Sequence, residues 1–462
     1  MANELKPEGG NAGDSSLIVK LLSVFAVVHP SEVFSVLLLT LDGILLLASY
    51  YFLKVIREPL ILAAPGGPQT KSYATAFLAI LLIGVFYGYR AIAQRVDRLR
   101  LITYTKLFCV GCLVLFCLLG HAGVKIGIPF FLWVGCYSLT ILAQFWAFAN
   151  DIYTQEQGKR VFAIIGVGAS IGALLGSLLA KPAVEPLGYY NMMLVPAGVL
   201  LVNLLIVRLV NAHETKSEAQ KKEAAKPPGG TGGMSMILES KYLMLIAAII
   251  LMVNLINTNG EFILDSTLEA VGEQRGLGAA EYKVWLGKFK ADYFFWANLV
   301  GVLLQLFVTS RVFKYLDVRG ALYIYPLIVI CGYTGMTLLP VLAVVKIVKI
   351  TENANDYSIY NAAKQALWLP TSREQKYVAK QAIDTFVVRA GDLLSGAVVY
   401  VGSELLNFST TKFTMFNVVL GVAFLLVVMR MGREHKKRTA EAAAAASAEG
   451  RPTSNDEKPA VA

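Results

Sequence analysis

The chain has 462 residues, of which 56% are hydrophobic and only 16% charged, and its mean hydropathy is +0.58. A soluble chain carries about a quarter charged residues, whereas here apolar residues gather into runs of the roughly 20 needed to cross a bilayer. That excludes a soluble enzyme, a disulfide-stapled secreted domain and a disordered scaffold, and the formal charge of +10 is read as loop topology before any attraction to nucleic acid.

Residues 1–30 combine a polar start with an amphipathic stretch, Ser16 to His29, expected to lie on the membrane surface. Six spans are predicted within 31–211, near 33–53, 73–94, 101–120, 127–149, 161–180 and 190–210. Residues 212–240 contain KKEAAKPPGGTGG, whose Lys, Pro and Gly content marks a flexible linker. Six further spans are predicted within 241–432, near 242–264, 291–310, 320–338, 341–369, 383–405 and 413–431. The tail, 433–462, turns from basic to Ala/Glu-rich to polar and is expected to be disordered past its first turns. The fold class expected is an all-α polytopic membrane protein of about 12 transmembrane helices.

Every second connection is basic. Arg90, Arg95, Arg98 and Arg100 follow the second span, Lys159 and Arg160 the fourth, Arg311, Lys314 and Arg319 the eighth, and Arg433, Lys436, Lys437 and Arg438 the last. Both termini and the linker are therefore expected in the cytoplasm. The stretch 265–290, expected outside, runs against this pattern with Arg275, Lys283, Lys288 and Lys290. Asp97 in QRVDRLR and Asp317 in KYLDVRG stand 220 positions apart, an offset that also relates Arg160 to Lys380. Two related six-helix halves, each with a short basic loop after its second helix, describe the major facilitator architecture. Arg95, Asp97, Arg98, Asp317 and Arg319 are the expected cytoplasmic gating clasp.

Polar residues inside the bilayer mark a path, because each is costly unless it faces protein or water. The first span holds Asp42 and ends in Lys54, Arg57 and Glu58; the fourth holds Gln144, Trp146 and Asn150; the seventh holds Asn254, Asn257, Asn259 and Glu261. In the tenth, Lys346, Lys349, Asn353, Asp356, Tyr360 and Lys364 step by three or four, a single helical stripe. The third, sixth, ninth and twelfth spans are nearly all apolar. Helices one, four, seven and ten thus line the path. Lys54, Arg57, Lys346 and Lys349 suit carboxylate or phosphate ligands. They serve equally well to lock helices together through Glu58, Glu352 and Asp356. The five cysteines all lie in apolar runs, Cys109 and Cys112 as a CxxC that reads as core. Gly168, Gly172 and Gly176 are spaced for close helix packing. No nucleophile–base pair, metal cluster, cofactor motif or ATP-hydrolysing motif stands out. The reading is a transporter, not an enzyme, driven by exchange or an ion gradient. Its expected partners are an anionic small molecule and the lipid bilayer, with no nucleic acid, and it is expected to be a monomer. The alternatives are a permease for another organic anion and a membrane scaffold that no longer transports.

Four segments resemble the nucleotide transporter (ATP/ADP translocase) family of bacteria and plastids: SYYFLKVIREPLIL (49–62), QFWAFANDIYTQEQGKRVFAIIGVGASIGALLGS (144–177), NLINTNGEF (254–262) and DYSIYNAAKQALWLPTSREQKYVAKQAIDTFVVRAGDLLSG (356–396). With the span pattern, the likeness covers about residues 17–430. It implies a major facilitator fold, exchange of adenine nucleotides without net ATP hydrolysis, and a place in a bacterial inner membrane. Lys54 matches the family's basic residue after the first helix, and Glu261 its acidic residue in the seventh. The family's fourth-helix glutamate has no counterpart near Gly135 to Tyr137. Where the family has a glycine–lysine pair in the eleventh helix, this chain reads RAGD, with Asp392 after Gly391 and Arg389 one turn earlier.

Overall fold

The computed structural model describes residues 32–93, 95–153, 155–213, 233–372 and 374–448. The surface helix expected at 16–29, most of the linker and the chain beyond 448 lie outside the described residues. The first half comprises α1 (Val33–Leu62), α2 (Gly67–Ala93), α3 (Arg98–His121), α4 (Gly127–Ile152), α5 (Gln155–Met192) and α6 (Leu194–His213). A short α7 (Gly233–Glu239) precedes the second half: α8 (Lys241–Gln274), α9 (Ala279–Leu303), α10 (Thr309–Leu338), α11 (Leu342–Asn355), α12 (Asn361–Ala366), α13 (Val388–Tyr400) and α14 (Thr410–Ala448). Among the described residues there is no strand. This is a multi-pass membrane protein.

Nine of the described helical stretches are long and apolar enough to cross a membrane, one of them the 60-residue run Ala279–Leu338. At about 1.5 Å per residue that run is far longer than a bilayer is thick, and it breaks at Asp317, whose φ is 59°. The stretches expected to be the tenth and eleventh spans are interrupted helices instead. The π-helical turns Asp356–Tyr360, Gln375–Ala379, Ile383–Val387 and Val401–Leu405 divide them, and α11 is rich in Lys, Glu and Asn. The connection read from sequence as 265–290 is only the turn 275–278, with Gly276 at φ 62°. Asp265 and Lys290 are therefore helical and buried, while Arg275, Lys283 and Lys288 stay at that end of the bundle. At the other end, α14 continues past Arg433 to Ala448, because its Ala/Glu-rich sequence propagates helix.

The halves are packed alike. α1 lies against α5 and α6, and α8 lies against α13 and α14. The small-residue stripe of α5 explains the closeness of the first contact: a Cβ on Gly172 would stand 2.2 Å from the backbone oxygen of Ile44. Each first helix is also tied to its sixth by a buried polar bond. Asn203 donates to Asp42 (2.6 Å) in the first half, and Asn259 to Asn417 (2.6 Å) in the second. Outward faces are apolar, with Phe108 and Leu118 of α3 and Leu205 and Leu209 of α6 well exposed to what would be lipid.

Candidate functional site

The polar stripes of α1, α8 and α11 meet in a buried layer near the end of the bundle where α1 turns into α2. Lys71 of α2 donates to Glu58 of α1 (2.5 Å) and to Asp265 of α8 (2.7 Å). Lys290 of α9 is wholly buried and faces three carboxylates: Asp265 at 2.5 Å, Glu58 at 3.6 Å and Glu261 at 3.8 Å. Lys349 of α11, also wholly buried, stands 3.1 Å from Glu352 and 3.9 Å from Glu261, and donates to the Asn257 carbonyl (3.2 Å). Tyr293 donates to Glu261 and Tyr333 to Glu352, each at 2.7 Å. Asn353 donates to Tyr293 (2.5 Å) and accepts from Asn257 (2.7 Å). Isolated charges this deep would cost several kcal/mol each, so the network is needed for the layer to exist at all.

Two of these contacts join the halves, Lys71 to Asp265 and Lys290 to Glu58. Around them Lys181 of α5 pairs with Asp292 of α9 (3.0 Å), which also holds Lys346 (2.6 Å), and Glu185 pairs with Lys288 (2.6 Å). Tyr73 of α2 donates to Glu404 (3.3 Å), and Gly396 of α13 lets that helix approach α2 so closely that a Cβ would stand 2.6 Å from Ala76. The ion pairs at the opposite end, Arg98 with Asp151, Arg160 with Glu32 and Lys241 with Glu434, each stay within one half. The bundle is therefore clamped between its halves at the α1–α2 end.

On the other side of the layer, between the halves, lies a cavity of about 270 Å³. Tyr51 of α1, Trp146 of α4, Ser170 of α5 and Asn298 of α9 line it, with Gln305 and Tyr357 from the π turns Leu304–Val308 and Asp356–Tyr360. No charged side chain lines it. One turn beyond Tyr51, Lys54 lies with its Nζ 5.3 Å from the Tyr51 ring centre and 4.4 Å from that of Phe294. It has no carboxylate within 4.0 Å among the described residues, unlike the other cations of the layer.

The remaining sequence-predicted residues are spread more widely. Arg57 pairs with its neighbour Glu58 (3.1 Å) and covers the Phe131 ring. Gln144 is buried in the first half and donates to Thr105 (2.9 Å), away from the central cavity. Asn150 is exposed. Asp356 is half-buried, and Tyr360 packs edge-on against Tyr325 with no hydrogen-bond partner for its hydroxyl. Arg389 pairs with Asp392 (2.8 Å), and Asp392 also accepts from Asn254 (2.9 Å) and Thr258 (3.4 Å), so the RAGD segment is internally neutralised. Asp97 caps α3 by accepting from the Leu99 amide (3.2 Å), Arg98 reaches Asp151, Arg95 is exposed, and Asp317 stands 3.8 Å from Arg319. In this conformation Asp97 thus serves a helix end, and Asp317 stands at the break in α10 beside Arg319. Lys71, Asp265, Lys290 and Asp292 were not singled out by the sequence reading, which placed them at span edges or in a loop. Among the described residues no cluster of three or more His, Cys, Asp and Glu could hold a metal.

Two family models match, the Major Facilitator Superfamily over residues 146–351 and the TLC ATP/ADP transporter over residues 290–432. Among curated proteins, ADP,ATP carrier protein 1 of Chlamydia muridarum is 24% identical over 379 residues, covering 70% of this chain and 69% of that protein. The chain is thus similar in sequence to ATP/ADP carriers. The carrier of the same name from Chlamydia trachomatis is 24% identical over 336 residues, covering 63% of this chain, and the chain spans only 60% of that carrier's length. Among solved structures, a POT family transporter in complex with 5-aminolevulinic acid superposes with a TM-score of 0.62 at 11% identity, covering 87% of this chain and 96% of its own. The fold is that of the major facilitator superfamily. Lys54 and Glu261, the residues the ATP/ADP transporter resemblance singles out, stand on either side of the step between cavity and charge layer.

Proposed function

We propose that the protein is a secondary transporter that exchanges an anionic, phosphorylated metabolite, a nucleotide of the ATP/ADP type, by alternating access. The observation that carries this is Lys54, a cation with no carboxylate within 4.0 Å among the described residues, at the rim of a cavity between two clamped halves. A bound phosphate supplies the missing counter-charge. As the halves part, it also competes with Glu58, Glu261 and Asp265 for Arg57, Lys71, Lys290 and Lys349. That exchange of partners couples occupancy to opening. An empty carrier falls back into its internal pairs and crosses slowly, which favours exchange over net flux. With the termini in the cytoplasm, the clamp closes the outer side and the cavity belongs to an inward-facing state.

The neutral stretch at Gly135 to Tyr137 and the self-paired Arg389–Asp392 favour a second reading, exchange of a smaller phosphorylated or carboxylate anion. Proteoliposomes distinguish the two. Vesicles preloaded with ADP should take up labelled ATP, vesicles without it should not, and Lys54→Ala should lower the apparent affinity roughly tenfold, the worth of one charge-assisted contact. Uptake restricted to sugar phosphates or dicarboxylates would replace the nucleotide with the smaller anion. Equal uptake by empty vesicles, or transport of neutral solutes alone, would overturn exchange.

A further inference from the structure

The cavity is uncharged but far from featureless. Tyr51, Trp146 and Tyr357 bring three aromatic side chains to it from three helical segments, and Gln305, Asn298 and Ser170 bring short polar groups. Two of these are placed by π turns. Gln305 sits in Leu304–Val308 and Tyr357 in Asp356–Tyr360, and the two turns pack against each other across the second half. A π turn inserts a residue into the helical register and re-aims the side chains around it. Trp146 meets Phe145 and Phe162 only at T-shaped angles, and among the described residues no ring lies parallel on it. Asn298 donates one amide N–H to the Phe294 carbonyl (2.7 Å) and lies against the Tyr51 hydroxyl, whereas Gln305 is exposed and keeps both donor and acceptor available.

The volume, about 270 Å³, lies just below the range of roughly 300–1,000 Å³ for sites that enclose a whole small ligand. It is enough for a planar ring system and too little for a complete nucleotide. A ligand whose flat part enters here must carry its charged part out of the cavity, and Lys54 on the Tyr51 ring marks the direction. Resting on the exchange reading above, we infer that this cavity is the base subsite: the heteroaromatic ring of the substrate stacks on Trp146, with Tyr51 and Tyr357 as a neighbouring wall. Gln305 reads the ring edge, and the phosphates point past Lys54 into the charge layer. Aromatic faces bind any base through its π surface, and a single mobile Gln can satisfy a donor–acceptor edge by turning its amide. The subsite therefore favours a base without selecting strictly among bases.

The test is calorimetric titration of the purified full chain with two probes, ADP and inorganic pyrophosphate, which share the charged part but not the ring. Wild type should bind ADP more tightly than pyrophosphate. Trp146→Ala should weaken ADP about tenfold, within the span measured for single base–aromatic stacks, and leave pyrophosphate unchanged. Trp146→Phe should keep most of the ADP affinity, and Gln305→Ala should lower ADP alone. Lys54→Ala should weaken both probes. ADP affinity unchanged in Trp146→Ala, or both probes weakened equally, would overturn the base subsite while leaving the anion reading intact. Wild type that binds neither probe would remove the phosphorylated-anion reading and the subsite with it.

Discussion

Replacing Lys71 by methionine isolates the energy of the clamp. Lys71 makes two charge-assisted bonds, 2.5 Å to Glu58 and 2.7 Å to Asp265. Glu58 belongs to the same half and travels with Lys71, so only the Asp265 bond distinguishes the clamped from the parted arrangement. Such a bond contributes about 1.5–3 kcal/mol, which is roughly a 10- to 150-fold change in the ratio of the two conformations. Neither carboxylate is stranded by the change. Glu58 keeps Arg57 at 3.1 Å and Lys290 at 3.6 Å, and Asp265 keeps Lys290 at 2.5 Å, so the variant should still fold. Spin labels at Ala64, beside the α1–α2 turn, and at Ala280, at the start of α9, report the separation of the halves there once the five native cysteines are replaced. The clamped distance should dominate in the unsubstituted protein, and a longer one should gain population in Lys71→Met. Asp265→Asn should do the same, and the double variant should shift no further than the larger single one, because both remove the same bond between the halves. An unchanged distance distribution in folded Lys71→Met, or full additivity in the double variant, would refute the clamp.

Gly172→Leu should lower the melting temperature of the purified protein measurably, since overpacking costs about 1–3 kcal/mol and the new Cβ would meet the Ile44 oxygen at 2.2 Å; an unchanged melt would mean α1 and α5 are not held at that distance. Lys106→Met should destabilise by leaving Asp42 buried without its cation at 4.0 Å, and Asp42→Asn added to it should restore much of the loss, as thermal denaturation in detergent would read; equal stability of single and double variants would show the pair to be uncoupled. For topology, a membrane-impermeant thiol reagent added to sealed right-side-out cells should label Val124→Cys and spare Lys437→Cys, and the reverse pattern would invert the orientation.

Much of the fold is legible because bilayer crossing demands long apolar runs, and the polar residues within them are too expensive to be accidental. Lys349 and Asn353, which helical spacing in the tenth span puts on one stripe, both reach Glu261 of the seventh, and Asn257 donates to Asn353. Lys71 and Lys290 escaped for a common reason. A window of apolar residues ends at the first cation, so Lys71 read as the lip of a span and Lys290 as part of a loop. What places them inside is the short turns at 63–66 and 275–278, which let the helices run on past the apolar core. Their partners are also remote in sequence: Lys71 and Asp265 lie 194 positions apart. Asp97 shows the opposite difficulty. Its cap on Leu99 is a local feature that the sequence carries in full, yet a basic neighbourhood reads as readily as a clasp. The π turns leave no periodic trace, so nothing in the stripe of the tenth span announced that Tyr357 would turn into the cavity.

On the reading proposed above, the distribution of charge also says why a closed end and a binding site would share residues. Within the layer, Arg57, Lys71, Lys290 and Lys349 are matched by Glu58, Asp265, Glu261 and Glu352, so the clamped state is balanced without a ligand. Lys54 is the addition that tips the balance to positive, and it sits where the layer meets the uncharged cavity. An anion that arrives there is attracted by one charge and gains more only as the halves part and the paired lysines come free. Its affinity therefore rises along the path that opens the clamp, the differential interaction that ligand-driven conformational change requires. A neutral ring in the cavity contributes holding energy without disturbing that balance. On the exchange reading proposed above, ring and phosphate would act on different steps: the aromatic wall would retain the substrate, and the charge layer would turn its presence into motion.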